Sequence, residues 1–556
     1  MNLRFYTSML LLFILAFAAC QQNGGQRKRL KARDTVHYSK EEYIERTLDS
    51  NQLNTFLAAH PTYQPYAEFI KNFYSQRNYH YAWINKEGLT EQAGNFINMM
   101  KNDAAFGIKD SSVNTPELRM LIDTLELSDS SLAANAGEIP RVEMMLTSQF
   151  FSYGNKVWGG LTSDNAKDLE WFIPRKKLDM SSLLDSMITG SGNIETNAPV
   201  NPQYKMLRER LKQLAVINEH VKWDTLPSPP KNLKKGDSSA LVAAVKLRLQ
   251  AYGDLPGHDS SGIFDQATDT AIRNYQVRMG LKEDGLISPA VIKSLNVPVA
   301  QRIRQVLLNM ERLRWVAVEP PKTYILVNVP EFKMHVYQNG KLDWSCNVVV
   351  GTPGANTVIF SNELKYIVFS PYWNVPPGIL SKEVLPGIKR SGSSYLARQN
   401  MEIVGASGKP ISPGSINWGK YSGGNFPYVV RQRPGGKNSL GKVKFLFPNE
   451  YNIYLHDTPA KYLFERDKRS FSHGCIRVEE PKHLAMWLLR DDSTWTEQKI
   501  DEAMNAGKEK YVTLKEKVPV FIGYFTAFVD SQGRLNFRDD VYGHDAKLAA
   551  TLFGKN

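Results

Sequence analysis

The 556 residues carry a formal net charge of +13, with 42 % hydrophobic and 11 % aromatic residues and 3 cysteines. A chain of that length exceeds one ordinary core and predicts about three to four globular domains. The positive balance suits an anionic polymer or membrane surface, but the basic residues are scattered and no nucleic-acid recognition motif appears, so nucleic acid is not an expected partner.

Residues 1–19 hold Arg4 and then an apolar run from Met9 to Ala19, too short to span a bilayer, which reads as a secretory signal. The run ends Phe17-Ala18-Ala19-Cys20 and resembles a lipoprotein processing box, with Cys20 as the acylated first mature residue. Phe17 stands where Leu is usual, and cleavage at Ala16-Phe17-Ala18 is the alternative. Residues 20–37, polar and glycine-containing at first, read as a tether. The expected address is the periplasm, with a lipid anchor in a membrane.

Residues 38–227 read as a helical scaffold domain, with apolar residues at three- and four-residue spacing in Tyr66–Tyr74 and Val142–Phe151 and with Trp83, Trp158 and Trp171 in its core. No cluster of catalytic residue types occurs there. Leu226-Pro227-Ser228-Pro229-Pro230 removes amide donors and marks a boundary. Residues 233–297 follow a three-helix pattern, Leu241 to Tyr252, Gln266 to Met279 and Ser288 to Leu295, with Asp265 placed to cap the second helix. This unit resembles the small peptidoglycan-binding domain attached to many wall enzymes; a plain helical spacer is the other reading. Residues 298–321 form a connecting segment, in which a helix from Gln301 to Trp315 carries Arg302, Arg304, Arg312 and Arg314 on its polar sides.

Residues 322–490 begin as a β meander: Thr323–Val329, Lys333 to Gln338, an Asn339-Gly340 hairpin turn, and Asp343 to Val350. Residues 377–427 interrupt it with mixed helix and glycine-rich loop, placed to cap a cleft. Pro481 to Leu489 is an amphipathic helix. Residues 491–556 read as a structural C-terminal extension, His544 included.

The chemistry concentrates in Ser470-Phe471-Ser472-His473-Gly474-Cys475-Ile476-Arg477-Val478 and in His456, nineteen positions before Cys475. A cysteine attacks only as thiolate, and a free thiol with a pKa of about 8.5 needs a neighbouring base at neutral pH. Gly474 permits a tight turn in which the amides of Gly474 and Cys475 point at one developing oxyanion. The bland alternative is a buried Cys beside a structural His. His456 closes a strand, Asp457-Thr458-Pro459 turns, and Ile476-Arg477-Val478 opens a second strand. Two residues along one strand lie about 6.5–7 Å apart, whereas facing residues on neighbouring strands bring Cβ atoms within about 4.5–5.5 Å. His456, placed opposite Cys475, is therefore the expected base, and His473 shapes the turn.

His456, fifteen residues, then Ser472-His473-Gly474-Cys475-Ile476-Arg477 resembles the signature of the L,D-transpeptidases, bacterial cell-wall enzymes. Residues 322–490 are similar to the catalytic domain of their larger subclass, as are Ser370–Pro376, Arg431–Gly435 and Lys444–Asn449. Some members carry Asn where this chain has Arg477, so the contact of that Asn is not carried over.

The resemblance implies a multidomain α+β chain: a helical scaffold, a small three-helix peptidoglycan-binding-like domain and a β-rich catalytic domain with a capping insertion. It implies that Cys475 attacks the third residue of a tetrapeptide stem, expels D-alanine and passes the thioester to the side-chain amine of another stem. His456 would hold the proton as imidazolium, oriented by the Asp457 carbonyl. Tyr454 would offer its hydroxyl to substrate or oxyanion. Ser472, His473, Arg477, Trp373 and Asn374 would line the cleft, with Trp373 fitting a core position equally well. Peptidoglycan peptide and glycan are the expected partners, with no cofactor. Water as acceptor would give an L,D-carboxypeptidase, and a blocked cleft a non-catalytic wall-binding protein. A papain-like protease would place Cys before His. A zinc site from His456, His473 and Cys475 lacks a fourth ligand, so no metal is expected. Cys346, in the strand run Trp344–Val350, is a core residue, and no disulfide to Cys475 is expected.

Overall fold

The computed structural model describes residues 46–85, 88–105, 116–127, 137–190, 198–422 and 424–554. The leader 1–19, Cys20 and the tether 20–37 lie outside the described residues. Among those residues no helix is long and apolar enough to cross a membrane.

Apolar side chains collect into three cores. The first joins the helical region to the three-helix unit and to the hairpin Ala527–Val529/Leu535–Phe537. Trp83 and Trp158 belong to it, whereas Trp171 packs in the second core because Trp171–Phe172 adds a parallel strand beside Ile359–Phe360. The first core also buries a carboxylate: Glu143 accepts the amides of Ala82 (2.7 Å) and Trp83 (3.0 Å) and the Tyr74 hydroxyl (3.0 Å). In the three-helix unit, Ala240–Ala251, Gln266–Arg278 and Pro289–Leu295 are each opened by a side-chain cap, Ser239, Asp265 and Ser288. The proline stretch before it is strapped down, since Asn296 bonds both the amide and the carbonyl of Leu226.

The helix Val299–Trp315 contributes to two cores, with Val306, Met310 and Leu313 in the first and Leu308 and Trp315 in the second. Its arginine face is not solvated as the pattern suggested. Arg312 is 2 % exposed and pairs with Asp545 at 2.5 Å, because the C-terminal segment packs over that side.

The second core fills the largest sheet. Its strands run in the order Val443–Leu446, Leu455–His456, Ile476–Val478, Lys341–Gly351, Lys333–Gln338, Tyr324–Asn328, Lys510–Gly523, Ile359–Phe369, and the first pairs with the last to close the sheet on itself. Asn339 (φ 52°) and Gly340 (φ 76°) both take the left-handed backbone that a two-residue hairpin turn needs. Residues 491–556, read as an extension, supply Lys510–Gly523, which lies between Tyr324–Asn328 and Ile359–Phe369, so the sheet runs well past residue 490. Ser470–Ser472 pairs separately with Lys341–Gly351.

The third core belongs to the insertion. Trp373–Asn374, Val429–Gln432, Met401–Val404 and Pro410–Ile411 form their own four-stranded sheet, packed on short helices through Val384, Leu385, Ile388, Ile403 and Val430. The insertion is thus a small folded body and not a loose loop.

Candidate active site

Leu455–His456 and Ile476–Val478 are parallel neighbours with Leu455 paired to Ile476 and His456 to Arg477. Both Leu455 and Ile476 are fully buried in the sheet core. By strand alternation Tyr454, His456, Cys475 and Arg477 share the opposite face. The register demanded by two inward apolar residues places Cys475 beside Tyr454 and His456 beside Arg477. The expected facing pair His456–Cys475 is therefore a diagonal one.

The thiol of Cys475 donates to the Asn452 carbonyl at 3.5 Å. Burial raises its pKa, while the main-chain amide and the hydroxyl of Tyr454 and the charge of Arg477 oppose the rise. The Tyr454 hydroxyl is itself made far less acidic by burial and by the sulfur.

His456 is 5 % exposed, and its Nδ1 donates to the Asp457 carbonyl at 2.5 Å. A carbonyl can only accept, so the proton of the neutral ring sits on Nδ1 and Nε2 keeps its lone pair. Burial, then the charge of Arg477, push the ring down to about 4 against the pull of Asp457. At neutral pH the resting site therefore holds a neutral imidazole and a neutral thiol. Burial and two cations, Arg477 and Lys444, disfavour imidazolium at rest.

Asp457 is held from four sides. Its amide donates to Val443 (2.9 Å), and its carboxylate accepts the amides of Lys442 (2.8 Å) and Thr458 (2.7 Å) and the Lys461 ammonium (2.9 Å). Gly441 makes room for that carboxylate: at φ +61° a Cβ there would lie 2.3 Å from Asp457 Cγ. Sequence reasoning missed Gly441, since nothing local links it to a residue in another strand pairing.

The turn before the nucleophile is closed internally. Ser472, 3 % exposed, accepts the Gly474 amide (3.1 Å) and donates to the Cys475 carbonyl (2.5 Å). Ser472 thus braces the turn instead of facing a cleft, and the Gly474 amide is occupied. The Cys475 amide donates to no group among the described residues, which leaves it, with the Tyr454 hydroxyl at the sulfur, as the donor set for an oxyanion. Gly474 (φ +115°) still needs its glycine backbone. Its carbonyl accepts from Thr357 (2.8 Å), whose hydroxyl takes the Gly351 amide (2.9 Å), while Tyr542 donates to the Gly351 carbonyl (2.7 Å). The tail of the chain thereby braces the turn.

His473 is exposed and points its Nε2 to within 3.4 Å of Glu383 in the insertion. Arg477 is half-buried, with its Nε lacking a partner. Trp373 packs on the insertion core, and Asn374 is exposed opposite Arg431, so both belong to the capping sheet. Arg431 and Arg433 both grip Glu402 (2.7 and 2.8 Å), a structural use of that stretch.

Residues 322–520 match the family model described as "L,D-transpeptidase catalytic domain", residues 68–211 the "Scaffold domain" and residues 238–295 the "Putative peptidoglycan binding domain". A Haemophilus influenzae protein named "Putative L,D-transpeptidase" is 34 % identical over 241 residues, covering 43 % of this chain and 48 % of that one. The match thus spans about half of that relative's length. Among solved structures the chain is similar to an L,D-transpeptidase from Xylanimonas cellulosilytica (13 % identity, 53 % of this chain and 100 % of that one, TM-score 0.16). It is also similar to one from Stackebrandtia nassauensis (12 %, 54 % and 98 %, TM-score 0.21). TM-scores this low place no residue of one chain on the other. Residues 322–520 thus carry the likeness to the L,D-transpeptidase catalytic domain, in a chain that also matches the scaffold and peptidoglycan-binding domain models.

Proposed function

We propose that this chain is a cysteine-dependent L,D-transpeptidase of peptidoglycan. The observation that carries the reading is the neutral His456, its Nδ1 proton committed to the Asp457 carbonyl and its Nε2 free, on the same sheet face as Cys475. The thiol turns from the Asn452 carbonyl and gives its proton to His456 Nε2 as sulfur attacks the carbonyl of the third stem residue. The Cys475 amide and the Tyr454 hydroxyl receive the oxyanion. Collapse breaks the peptide bond, and His456 returns the proton to the departing D-alanine amine. The side-chain amine of a second stem, deprotonated by His456, then attacks the thioester and restores the thiol. With thiol and imidazole both neutral at rest, the pair gains charge only as the reaction proceeds.

The scaffold and the three-helix unit would position the enzyme on the polymer. The N-terminal reading adds export to the periplasm with a lipid anchor at Cys20. Palmitate label that persists in Cys20→Ser would refute that address.

The decisive experiment incubates the protein with tetrapeptide muropeptides. Wild type is expected to release D-alanine and to form dimers linked between third residues. Cys475→Ala should do neither while melting at the wild-type temperature. His456→Ala should lose about 10²- to 10⁴-fold, the usual worth of a general base. His473→Ala, altering an exposed contact to the cap, should lose much less. D-alanine release by Cys475→Ala would sink the proposal, and tripeptide without any dimer would make the enzyme a carboxypeptidase.

A further inference from the structure

A cavity of about 770 Å³ lies between the scaffold and the catalytic sheet. Its wall carries four cations, Lys167, Arg175, Lys176 and Lys177, and no carboxylate. Lys176 ends on the Pro199 carbonyl and Arg175 on the Gly159 carbonyl (2.6 Å), so each meets a neutral acceptor in place of a counter-charge. Glu311, whose charge Arg175 feels, is already taken by Arg314, the Leu161 amide and the Trp315 indole. Two wall residues each bury a donor without a hydrogen-bond partner, Arg175 its Nη1 and Trp171 its Nε1. Burial, with Arg314 and Arg175 adding repulsion, pushes Lys176 down to about 8. Such crowding is what an incoming anion relieves.

The cavity also presents flat apolar surface. Phe172 and Tyr451 lie against each other at 5.5 Å between ring centroids, and Phe69 and Phe172 remain 53 % and 40 % exposed. Unpaired positive charge beside exposed aromatic surface suits a ligand that alternates carboxylates with short aliphatic groups. The stem peptide of the polymer invoked above has that chemistry.

Resting on the proposed function, we infer that this cavity is a second peptide site, holding the carboxylates of a peptidoglycan stem apart from the stem that reacts at Cys475. Its position fits a template for neighbouring polymer. Tyr451 in its wall directly precedes Asn452, whose carbonyl accepts the Cys475 thiol, so the two sites share one loop.

The test uses the full chain with Cys475 alkylated by iodoacetamide, which closes the reactive site. Cys346 is spared, being 6 % exposed with its thiol pushed up to about 12 by burial. Calorimetric titration with the tripeptide L-alanyl-γ-D-glutamyl-diaminopimelate should show saturable binding of one equivalent. Lys167 and Lys177 are exposed, so the double change Lys167→Glu/Lys177→Glu should leave the fold intact and weaken binding by about tenfold or more. Absent binding, unchanged affinity in the double variant, or displacement by equimolar inorganic phosphate overturns the inference, the last by making the cavity a phosphate or lipid-headgroup site. Release of D-alanine by the unalkylated protein reads the proposed function separately. Release without tripeptide binding removes only the second site, whereas loss of release removes the function itself.

Discussion

His456 sits across a parallel strand pair from Arg477, and the guanidinium acts on both His456 and Cys475. It disfavours imidazolium on His456 and favours thiolate on Cys475. Arg477→Gln removes both effects. The ring then titrates above its present value of about 4, so the acid limb of the pH–rate profile moves to higher pH. The alkylation profile of Cys475 moves upward as well. An acid limb that stays where it is would show that Arg477 does not set the base.

Tyr454 offers the sulfur both its amide and its hydroxyl. Tyr454→Phe keeps the amide and removes the phenol. Losing one hydrogen bond to a charged group costs about 1.5 kcal/mol, or about tenfold in rate. Iodoacetamide labelling of Cys475 should shift to higher pH, with kcat/KM reduced about tenfold. Unchanged labelling and turnover would mean that the hydroxyl serves only packing.

Gly441→Ala sets a methyl group against the Asp457 carboxylate at a left-handed φ. The strain costs about 1–3 kcal/mol. Because Asp457 must shift, the carbonyl that orients His456 shifts with it. Loss of kcat should therefore exceed the loss expected from the fraction unfolded, which a melting curve measures beside the assay. Wild-type kcat at a lowered Tm would disprove the link.

Glu143, fully buried, is raised from 4.5 to about 7 by desolvation against its three donors. Its folded pKa lies above the unfolded one, so its contribution to stability is complete below about pH 4.5 and is lost as pH rises through about 7. The span corresponds to about 3 kcal/mol. The melting temperature of the scaffold should fall over that window in the wild type and lose this component in Glu143→Gln. Parallel pH profiles for the two proteins would contradict the assignment.

Local features were legible where a few adjacent residues decide them. Asn339-Gly340 can close a hairpin in only a few ways, and Asp265 caps its helix by reaching Thr268 three residues on. That His456 and Cys475 share a sheet face was legible because each adjoins an apolar residue, Leu455 and Ile476, that the core demands. The register between them was not, since Leu455–His456 offers only two residues to read and its inward apolar side chain settles the pairing only in three dimensions. Arg312 reads as surface because its partner Asp545 lies far along the chain. Long separation likewise hid Thr357 and Tyr542, while Gly441 was hidden by the strand pairing that brings it against Asp457.

The strand Lys510–Gly523, wedged between two strands made far earlier, gives the protein a built-in delay. A chain emerging N-terminus first exposes its cysteine and histidine while the cylinder around them still has an open seam. Non-local pairing of this kind is slow and comes late. A chain that stops short of the tail therefore leaves a gap in the sheet between Tyr324–Asn328 and Ile359–Phe369, and only the last long strand fills it.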